Sequence, residues 1–474
     1  MIYPPQISFI PVNVALTRFI EAGGGFFAHY PYWYLGTTPF NYLTGPVVPG
    51  FMVVFHKIFP FLTLFDIAYL LIIASFIIGA LGWGLLAREI SGKKSYFLIV
   101  TLITLVLPWR FVNAVGLGEV SAILAGALTP WVLLVFAKSN KQKAISKKFL
   151  LAFLVFALLL LVNTTASIPV ILGLLILGIV SKEWQRGLKR AVMIIIVGWV
   201  LTLWWYTPTF WLTIFGAPSI GGKSLVMAFV SLFNLLRGFV PVILALFVVW
   251  WRIHPKSLYS KFALFWFVIF GSMTLFRFMA DPDFWIDWTA WFEEVEVGLV
   301  LLLTIIFKNW PILSLKIDKI YIFYFLCSIY LVGGWVLVFT NHNFWMPRIS
   351  IEETAEYRIA KELEKIITPS DTVFLSGSTV FWLNSLVDIK QVRGGRDEVS
   401  VNRGWRQITW NIRESDNIAD TIKQMKDLKI KYIVVHGFES REFYHDFNNP
   451  NKFDEINGLH EVYKEFGDVI YKIN

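Results

Sequence analysis

Long apolar runs separated by short polar loops dominate the chain up to about residue 342. Several runs approach the roughly 20 residues that an α-helix needs to cross a bilayer. The fold class that this pattern predicts is an α-helical polytopic membrane protein with about ten transmembrane helices. The predicted spans are residues 66–90, 95–111, 119–137, 149–162, 165–181, 190–206, 237–253, 262–277, 290–307 and 319–341.

The pattern differs on both sides of this transmembrane region, which covers residues 64–342. Residues 1–63 contain no convincing span, and they predict an outer aromatic loop flanked by short helices. In residues 343–474 the spacing of apolar residues predicts the helices and strands of a water-soluble α/β domain. This domain is predicted to be extracytoplasmic from the charge pattern of the loops described below. The short elements predicted are a surface helix at 7–22, a half-length or interfacial helix at 45–59, helices at 352–367 and 417–428, and strands at 371–375, 432–435 and 468–471.

The segment from Phe26 to Pro46 is too broken by Gly and Pro to be a helix, and it is rich in Tyr and Trp. Such rings settle at the membrane–water boundary. One interpretation is that the loop covers a cavity, where His29, Trp33 and Tyr34 contact a substrate. The alternative is an interfacial belt of rings without chemistry.

Composition supports a membrane protein. The chain has 474 residues, of which 56% are hydrophobic and 16% charged, and its mean hydropathy is +0.62. Soluble domains have about 45–50% apolar and about 25% charged residues. The net charge of +9 does not indicate nucleic-acid binding, because most Lys and Arg of the apolar part lie in short loops that meet anionic lipid. The single cysteine, Cys327, excludes a disulfide framework.

Lysine and arginine cluster in alternate loops, which predicts the orientation of the chain. The intervening loops contain only Lys223, with Arg110, Arg237 and Arg277 at span ends. Positive loops face the cytoplasm. The sequence therefore predicts a multi-pass protein of the cell membrane, with the first loop and residues 343–474 outside the cytoplasm.

Few charged side chains fall on the predicted outer side. Glu119 follows Gly118 at the start of a span, with Arg110 across the same short loop. An acid at a helix N-terminus is also explained by the helix dipole. Arg277 ends another span, where its guanidinium suits a phosphate, although an anchoring role at the interface explains it too.

Acidic residues are frequent between residues 281 and 296. Asp281 and Asp283 flank a proline and suit a divalent metal such as Mg or Mn, although an ordinary turn explains them equally well. Of Glu293, Glu294 and Glu296, at most two can face one cavity at this spacing.

A Gly- and Arg-rich patch lies in the soluble domain, at 393–397 and 402–405. It suits contact with sugar or phosphate, or it is a solvated loop.

Several segments together resemble the large bacterial and archaeal membrane proteins labelled "6-pyruvoyl-tetrahydropterin synthase related", which belong with the glycosyltransferase C superfamily. The resemblance covers most of the chain through loosely matching motifs. They are HYPYWYLGTTPFNYLTGPVVP, the Gly118-Glu119 loop with the span ending TPWVLL, WWYTPTFW, and WLNSLVDIKQVRGGRDEVSVN.

This resemblance implies an inverting transfer of a sugar from a polyprenyl-phosphate donor to an envelope glycan or protein acceptor on the outer face. It also implies that a carboxylate of the first outer loop acts as base or metal ligand. Basic residues would hold the departing lipid phosphate, and by position these are Arg277 and Arg110, with His29 less favoured.

The chain departs from the family pattern at its start. The family begins with a span followed by an acidic residue, whereas Glu21 is the only carboxylate in residues 1–63. The start is then expected to be truncated, or the protein is not catalytic. Glu119 is the remaining candidate for the catalytic carboxylate.

The alternative function is a non-catalytic membrane protein with a binding or assembly role in the envelope. A transporter is disfavoured, because the spans are predicted to lack intramembrane charge and paired broken helices.

Overall fold

The computed structural model describes residues 2–42, 44–142, 147–216, 240, 244, 257–279, 291–309, 330–341, 345–395, 400 and 404–474. Within these residues the protein is a helical body followed by a small mixed α/β domain. Nearly all of the predicted span at 237–253 and much of that at 319–341 lie outside the described residues.

The helical body contains thirteen described helices. They are α1 Ile10–Glu21, α2 Val47–Ile58, α3 Leu64–Ser91, α4 Lys94–Leu105, α5 Pro108–Phe111, α6 Val120–Asn140, α7 Lys147–Val162, α8 Ser167–Val180, α9 Trp184–Leu201, α10 Pro208–Gly216, α11 Leu258–Met279, α12 Phe292–Asn309 and α13 Tyr330–Thr340.

Three described helices, α3, α6 and α11, are long and apolar enough to cross a membrane. A fourth span results if Lys94–Leu105 and Pro108–Gly116 are one helix, which bends by 49° at its break. The polytopic membrane class is therefore supported, but the predicted number of ten spans is not. α8, for example, has 14 residues and is about 21 Å long, which is shorter than the hydrocarbon core of a bilayer.

Helix α1 was expected on the surface, and this prediction is wrong. Its residues Ile10, Val12, Val14, Ala15 and Leu16 are all buried. The helix packs against α2 on one side and against the C-terminal domain on the other. The sequence pattern did not reveal this second contact, because the partner lies more than 350 residues away.

The body has two distinct ends. Phe65, near the start of α3, stacks on Trp382 of the C-terminal domain, with ring centroids 5.8 Å apart. We call this the domain-facing end. α3 has 28 residues and is therefore about 42 Å long, so Ser91 lies at the opposite, far end. α6 runs in the same direction, from Glu119 at the domain-facing end to Asn140 at the far end.

The C-terminal domain is built on a five-stranded mixed sheet of order β2-β1-β3-β5-β4. The first three strands in that order are parallel, and β5 and β4 are antiparallel to their neighbours. Its elements are α14 Ala355–Ile366, β1 Thr372–Phe374, α15 Thr379–Leu386, β2 Lys390–Gln391, α16 Trp405–Glu414, α17 Ile418–Asp427, β3 Tyr432–His436, β4 Leu459–Glu465 and β5 Asp468–Ile473.

The predicted α/β character of this domain agrees with the structure. α14, α17, β1, β3 and β5 all lie where the sequence placed them. The sequence missed α15, α16, β2 and β4, and β4 was missed because most of its side chains are exposed and three of its seven residues are charged.

Candidate active site

Glu119 lies immediately before α6, at the domain-facing end, and its side chain is largely buried, at 5% exposed. Its backbone N–H donates to the carbonyl of Asn113, at 3.1 Å, and its own carbonyl accepts from Ile123, at 2.9 Å. The carboxylate makes no capping hydrogen bond to the first turn of α6. A capping hydrogen bond therefore does not account for an acid here.

The N-terminal segment covers the loop that leads into Glu119. Phe9 N–H donates to the carbonyl of Leu117 at 2.8 Å. At Gly118 the φ angle is +63°, and a Cβ would lie 1.9 Å from Ser8 Oγ, so only glycine fits. On its other side the segment meets the C-terminal domain, where Trp382 Nε1–H donates to the carbonyl of Gln6 at 2.8 Å.

Arg110 lies inside the helical body and is only 1% exposed. Its Nη2 donates to the carbonyl of Ser75 in α3 at 3.0 Å, and its Nε lies 3.3 Å from Glu293 Oε1 in α12. Nη1 makes no hydrogen bond with a described residue. Gly79 provides the space, since a Cβ there would lie 2.3 Å from Nη2.

Two acidic side chains of α12 face this arginine and its neighbour. Glu293 pairs with Arg110, and Glu296 Oε1 accepts from the backbone N–H of Trp109 at 3.1 Å. The two carboxylates are three residues apart and share a helix face. The backbone carbonyl of Glu294 accepts from Trp266 Nε1–H at 2.9 Å. That at most two of the three acids face one cavity stays a prediction.

Glu293 lies against α6 at Gly126, about two turns after Glu119. A Cβ on Gly126 would be 3.7 Å from Glu293 Oε1. Gly126 follows Glu119 by seven residues, which is about two turns, so the two positions are about 10 Å apart along the axis. One carboxylate therefore lies at the start of α6, and a second one meets the helix two turns deeper.

These buried charges correct one sequence argument. The spans were predicted to lack intramembrane charge, whereas Arg110, Glu293 and Glu296 are buried or nearly so. They were also predicted to lack paired broken helices, and one bent helix pair, at 49°, is found among the described residues. Ionisable residues at membrane depth are costly and mark functional sites by default. The sequence analysis named these residues but did not predict their burial, because Arg110 and Glu293 each lie near a predicted span end.

Arg277 lies in the last turn of α11. The next residue, Phe278, contacts Phe292 at the start of α12, with ring centroids 5.6 Å apart. Arg277 is therefore near the end of α12 that bears Glu293. Its Nη1 is buried and has no hydrogen bond with a described residue.

The predicted metal ligands Asp281 and Asp283 lie outside the described residues. Among the residues that the structure does describe, no three His, Cys, Asp or Glu side chains are grouped to hold a metal ion. The divalent metal stays a prediction.

The aromatic loop packs inside the protein. Trp33 and Tyr34 are both 0% exposed and cluster with Trp405 of the C-terminal domain. A Cβ on Gly394 would lie 2.2 Å from the Trp33 ring, and the Tyr34 hydroxyl donates to the carbonyls of Gly394 and Gly395, each at 3.1 Å. The loop therefore anchors the C-terminal domain, and these rings do not form an interfacial belt.

His29 is exposed, and its ring lies against Gly36, where a Cβ would be 2.4 Å from Cε1. The structure gives Trp33 and Tyr34 no exposed surface. Substrate contact by His29, Trp33 and Tyr34 stays a prediction that no observation tests.

The Gly- and Arg-rich patch is tied to an internal carboxylate. Asp446 Oδ2 forms two ion pairs, at 3.2 Å to Arg393 Nη1 and at 2.8 Å to Arg413 Nη1. The same oxygen accepts hydrogen bonds from Gly377 N–H at 2.9 Å and from the Ser376 hydroxyl at 2.5 Å. Burial alone would raise the pKa of Asp446, but these hydrogen bonds and charges outweigh it and lower the pKa. Arg393 is thus not a solvated side chain. Residues 396–399 and 401–403 lie outside the described residues.

Solved structures share this architecture. The Archaeoglobus fulgidus oligosaccharyltransferase with Zn and sulfate superimposes with a TM-score of 0.55 at 13% identity, over 100% of this chain and 69% of that one. The transferase ArnT from Cupriavidus metallidurans gives 0.54 at 13%, over 99% and 93%. The chain has a glycosyltransferase C fold.

The mycobacterial arabinofuranosyltransferase AftD shares this fold, with a TM-score of 0.55 at 15% identity. The match covers 99% of this chain but 40% of AftD. No protein-family model matches the sequence, and no curated protein matches it either. The expected fold is thus confirmed, whereas the narrower group that the sequence resembles stays a prediction.

Some of these glycosyltransferase C structures contain lipid phosphates. ArnT was solved with undecaprenyl phosphate, and the Archaeoglobus fulgidus oligosaccharyltransferase with dolichol-phosphate and an inhibitory peptide. These lipid phosphates are ligands of the two solved proteins.

Proposed function

We propose that this protein is a membrane glycosyltransferase that moves a sugar from a polyprenyl-phosphate donor to a glycan or protein acceptor of the cell envelope. The observation that carries the proposal is the glycosyltransferase C fold with a buried carboxylate, Glu119, at the domain-facing end. The lipid phosphates bound by two proteins of similar fold support the donor class. In this proposal the C-terminal domain lies outside the cytoplasm.

Glu119 is the proposed general base. An acceptor hydroxyl or amide would give its proton to the Glu119 carboxylate as its oxygen or nitrogen attacks the anomeric carbon. The bond between that carbon and the phosphate oxygen breaks, and the phosphate leaves with the electron pair. Attack opposite the leaving group inverts the configuration at the anomeric carbon.

Arg277 is the proposed contact for the leaving phosphate. Its Nη1 makes no hydrogen bond with a described residue, so it has a donor left for a phosphate oxygen. Stabilising the negative charge that develops on a leaving group is a large contribution to catalysis.

Arg110 is the proposed positioning residue. Its ion pair with Glu293 and its hydrogen bond to Ser75 connect the bent segment before Glu119 to α12 and α3. Because it is 1% exposed, we assign it the role of holding these helices, and direct contact with the lipid phosphate is the less favoured role.

The competing function is a non-catalytic protein of the same architecture. The burial of Glu119, at 5% exposed, favours it, because an acceptor has little access to the carboxylate. The two proposals differ in whether the donor binds at the domain-facing end.

Photocrosslinking tests the proposal. The full chain in lipid nanodiscs is irradiated with a photoactivatable polyprenyl-phosphate hexose, and the labelled peptides are identified. We expect label near Glu119 and Arg277, with competition by undecaprenyl phosphate. Label confined to the far end, or label that excess undecaprenyl phosphate does not reduce, would contradict the proposal.

A further inference from the structure

A cavity of about 740 Å³ opens at the far end of the helical body. It lies between the ends of α3, α6 and α8 and the starts of α9 and α11. Asn140 lines it, whereas Glu119 lies at the other end of α6, a helix of 21 residues and thus about 30 Å long. The cavity is therefore separate from the candidate active site.

The cavity is apolar inside and basic at its rim. Its apolar wall includes Phe136, Leu177 and Leu258. Its basic lining side chains are Lys141, Lys182, Arg186 and Lys261, and Glu183 is the acidic one among the described lining residues. This combination fits a ligand with an anionic head and an apolar tail.

The acids near the rim do not neutralise it. Glu183 pairs with Arg186 at 2.5 Å, and Glu89 pairs with Lys141 at 2.6 Å. Lys182 makes no ion pair with a described residue. A concave surface with excess positive charge attracts an anionic group.

A tight hairpin holds two of these basic residues in place. Gly178 of α8 and Gly187 of α9 meet backbone to backbone, and a Cβ on Gly187 would lie 2.6 Å from the Gly178 carbonyl oxygen. Ser181 Oγ donates to the same carbonyl at 2.8 Å. Lys182 and Arg186 therefore project from a fixed turn, which reduces the entropy lost when they bind a ligand.

The same hairpin carries exposed apolar side chains. Trp184 and Ile179 are both more than half exposed, at 52% and 54%. Tryptophan is enriched at the membrane–water boundary. The exposed Trp184 beside the rim therefore supports a position of the rim near lipid headgroups.

We propose that this cavity binds the headgroup of an anionic phospholipid. Its phosphate contacts Lys182 and Arg186, and an acyl chain lies along Phe136, Leu177 and Leu258. Basic pockets between transmembrane helices recognise such headgroups through charge.

Native mass spectrometry of the full chain, titrated with phosphatidylglycerol and with phosphatidylcholine, tests this site. We expect a preference for phosphatidylglycerol that falls by about tenfold or more in K182Q/R186Q, because each basic residue contributes on the order of 1 kcal/mol. The conservative variant K182R/R186K should keep the preference. Lys94→Gln is the matched control, since Lys94 lies exposed at the same end but does not line the cavity.

An unchanged preference in K182Q/R186Q would overturn the proposal. A second arm measures the melting temperature with inorganic phosphate. If inorganic phosphate stabilises the protein through Lys182 and Arg186 while phosphatidylglycerol shows no preference, the cavity takes a soluble anion and the lipid assignment is wrong. Either failure leaves the proposed sugar transfer unaffected, because the two sites lie at opposite ends of α6.

Discussion

Arg110 Nε lies 3.3 Å from Glu293 Oε1, in the interior of the helical body and across 183 residues of sequence. The side chain of Glu293 is 17% exposed and that of Arg110 is 2% exposed. Each charge of such a pair compensates the other, because either one alone would be an unpaired charge in a medium of low dielectric constant.

Removing one member of this pair should destabilise the protein. We expect Arg110→Ala to lower the free energy of unfolding by about 3–5 kcal/mol, because Glu293 loses its charged partner. Replacing both residues by apolar ones, in R110M/E293L, should recover much of this loss. The measurement is denaturant-induced unfolding in detergent micelles. A single-variant loss below about 0.5 kcal/mol would show that the pair is not structural.

The contact between Gly394 and Trp33 should control how the C-terminal domain docks. Gly394→Ala places a Cβ about where the Trp33 ring lies, and overpacking of this kind costs about 1–3 kcal/mol. We expect faster hydrogen–deuterium exchange in the first loop, at residues 30–42. Gly25→Ala is the control, because its Cβ would meet no atom closer than 4.0 Å. Equal exchange in both variants would show that the contact is dispensable.

Asp446 should make the C-terminal domain sensitive to acid. Its pKa is lower in the folded protein than the value of about 3.9 in an unfolded chain, so the folded state favours the carboxylate. The stabilisation is therefore full above the unfolded pKa and is lost as the pH falls through the folded pKa. We expect exchange in β1 to accelerate in acid, and Asp446→Asn to weaken that dependence.

Asp446→Asn should also cost about 1.5–3 kcal/mol near neutral pH, the range for a hydrogen bond to a charged group. Asp427→Asn, at an exposed position at the end of α17, serves as control. The same pH dependence in wild type and Asp446→Asn would assign the acid response to another group.

Arg277 should bind the donor phosphate directly. We expect Arg277→Ala to weaken binding of undecaprenyl phosphate by about tenfold or more, because a hydrogen bond to a charged group contributes about 1.5–3 kcal/mol. Arg441→Ala removes an exposed arginine of the C-terminal domain and should leave affinity unchanged. Unaltered affinity in Arg277→Ala would make this residue a membrane anchor only.

Elements whose identity depends on local pattern were predictable from the sequence. α3 and α6 follow from long apolar runs, and α14 and α17 from helical spacing with Thr354 and Asn417 as side-chain caps. The change of composition near residue 342 also indicated the separate α/β domain.

Contacts between distant segments were not predictable. Nothing near Trp33 in the sequence indicates that Gly394 will cover its ring, and nothing near Arg110 indicates Glu293. α1 looked like a surface helix because its second partner, α15, is almost 370 residues away. Glu119 was found only as the acid left by elimination, and the structure adds its burial and its relation to Glu293.

Turnover of the purified full chain tests the central claim most directly. In lipid nanodiscs, sugar release from a panel of synthetic radiolabelled polyprenyl-phosphate hexoses is followed in wild type, Glu119→Gln and the exposed control Glu439→Gln. We predict that Glu119→Gln lowers the rate by about 10²–10⁴-fold while donor binding persists, because a general base contributes that much. A Glu119→Gln rate equal to that of wild type would contradict the assignment of Glu119 as the base.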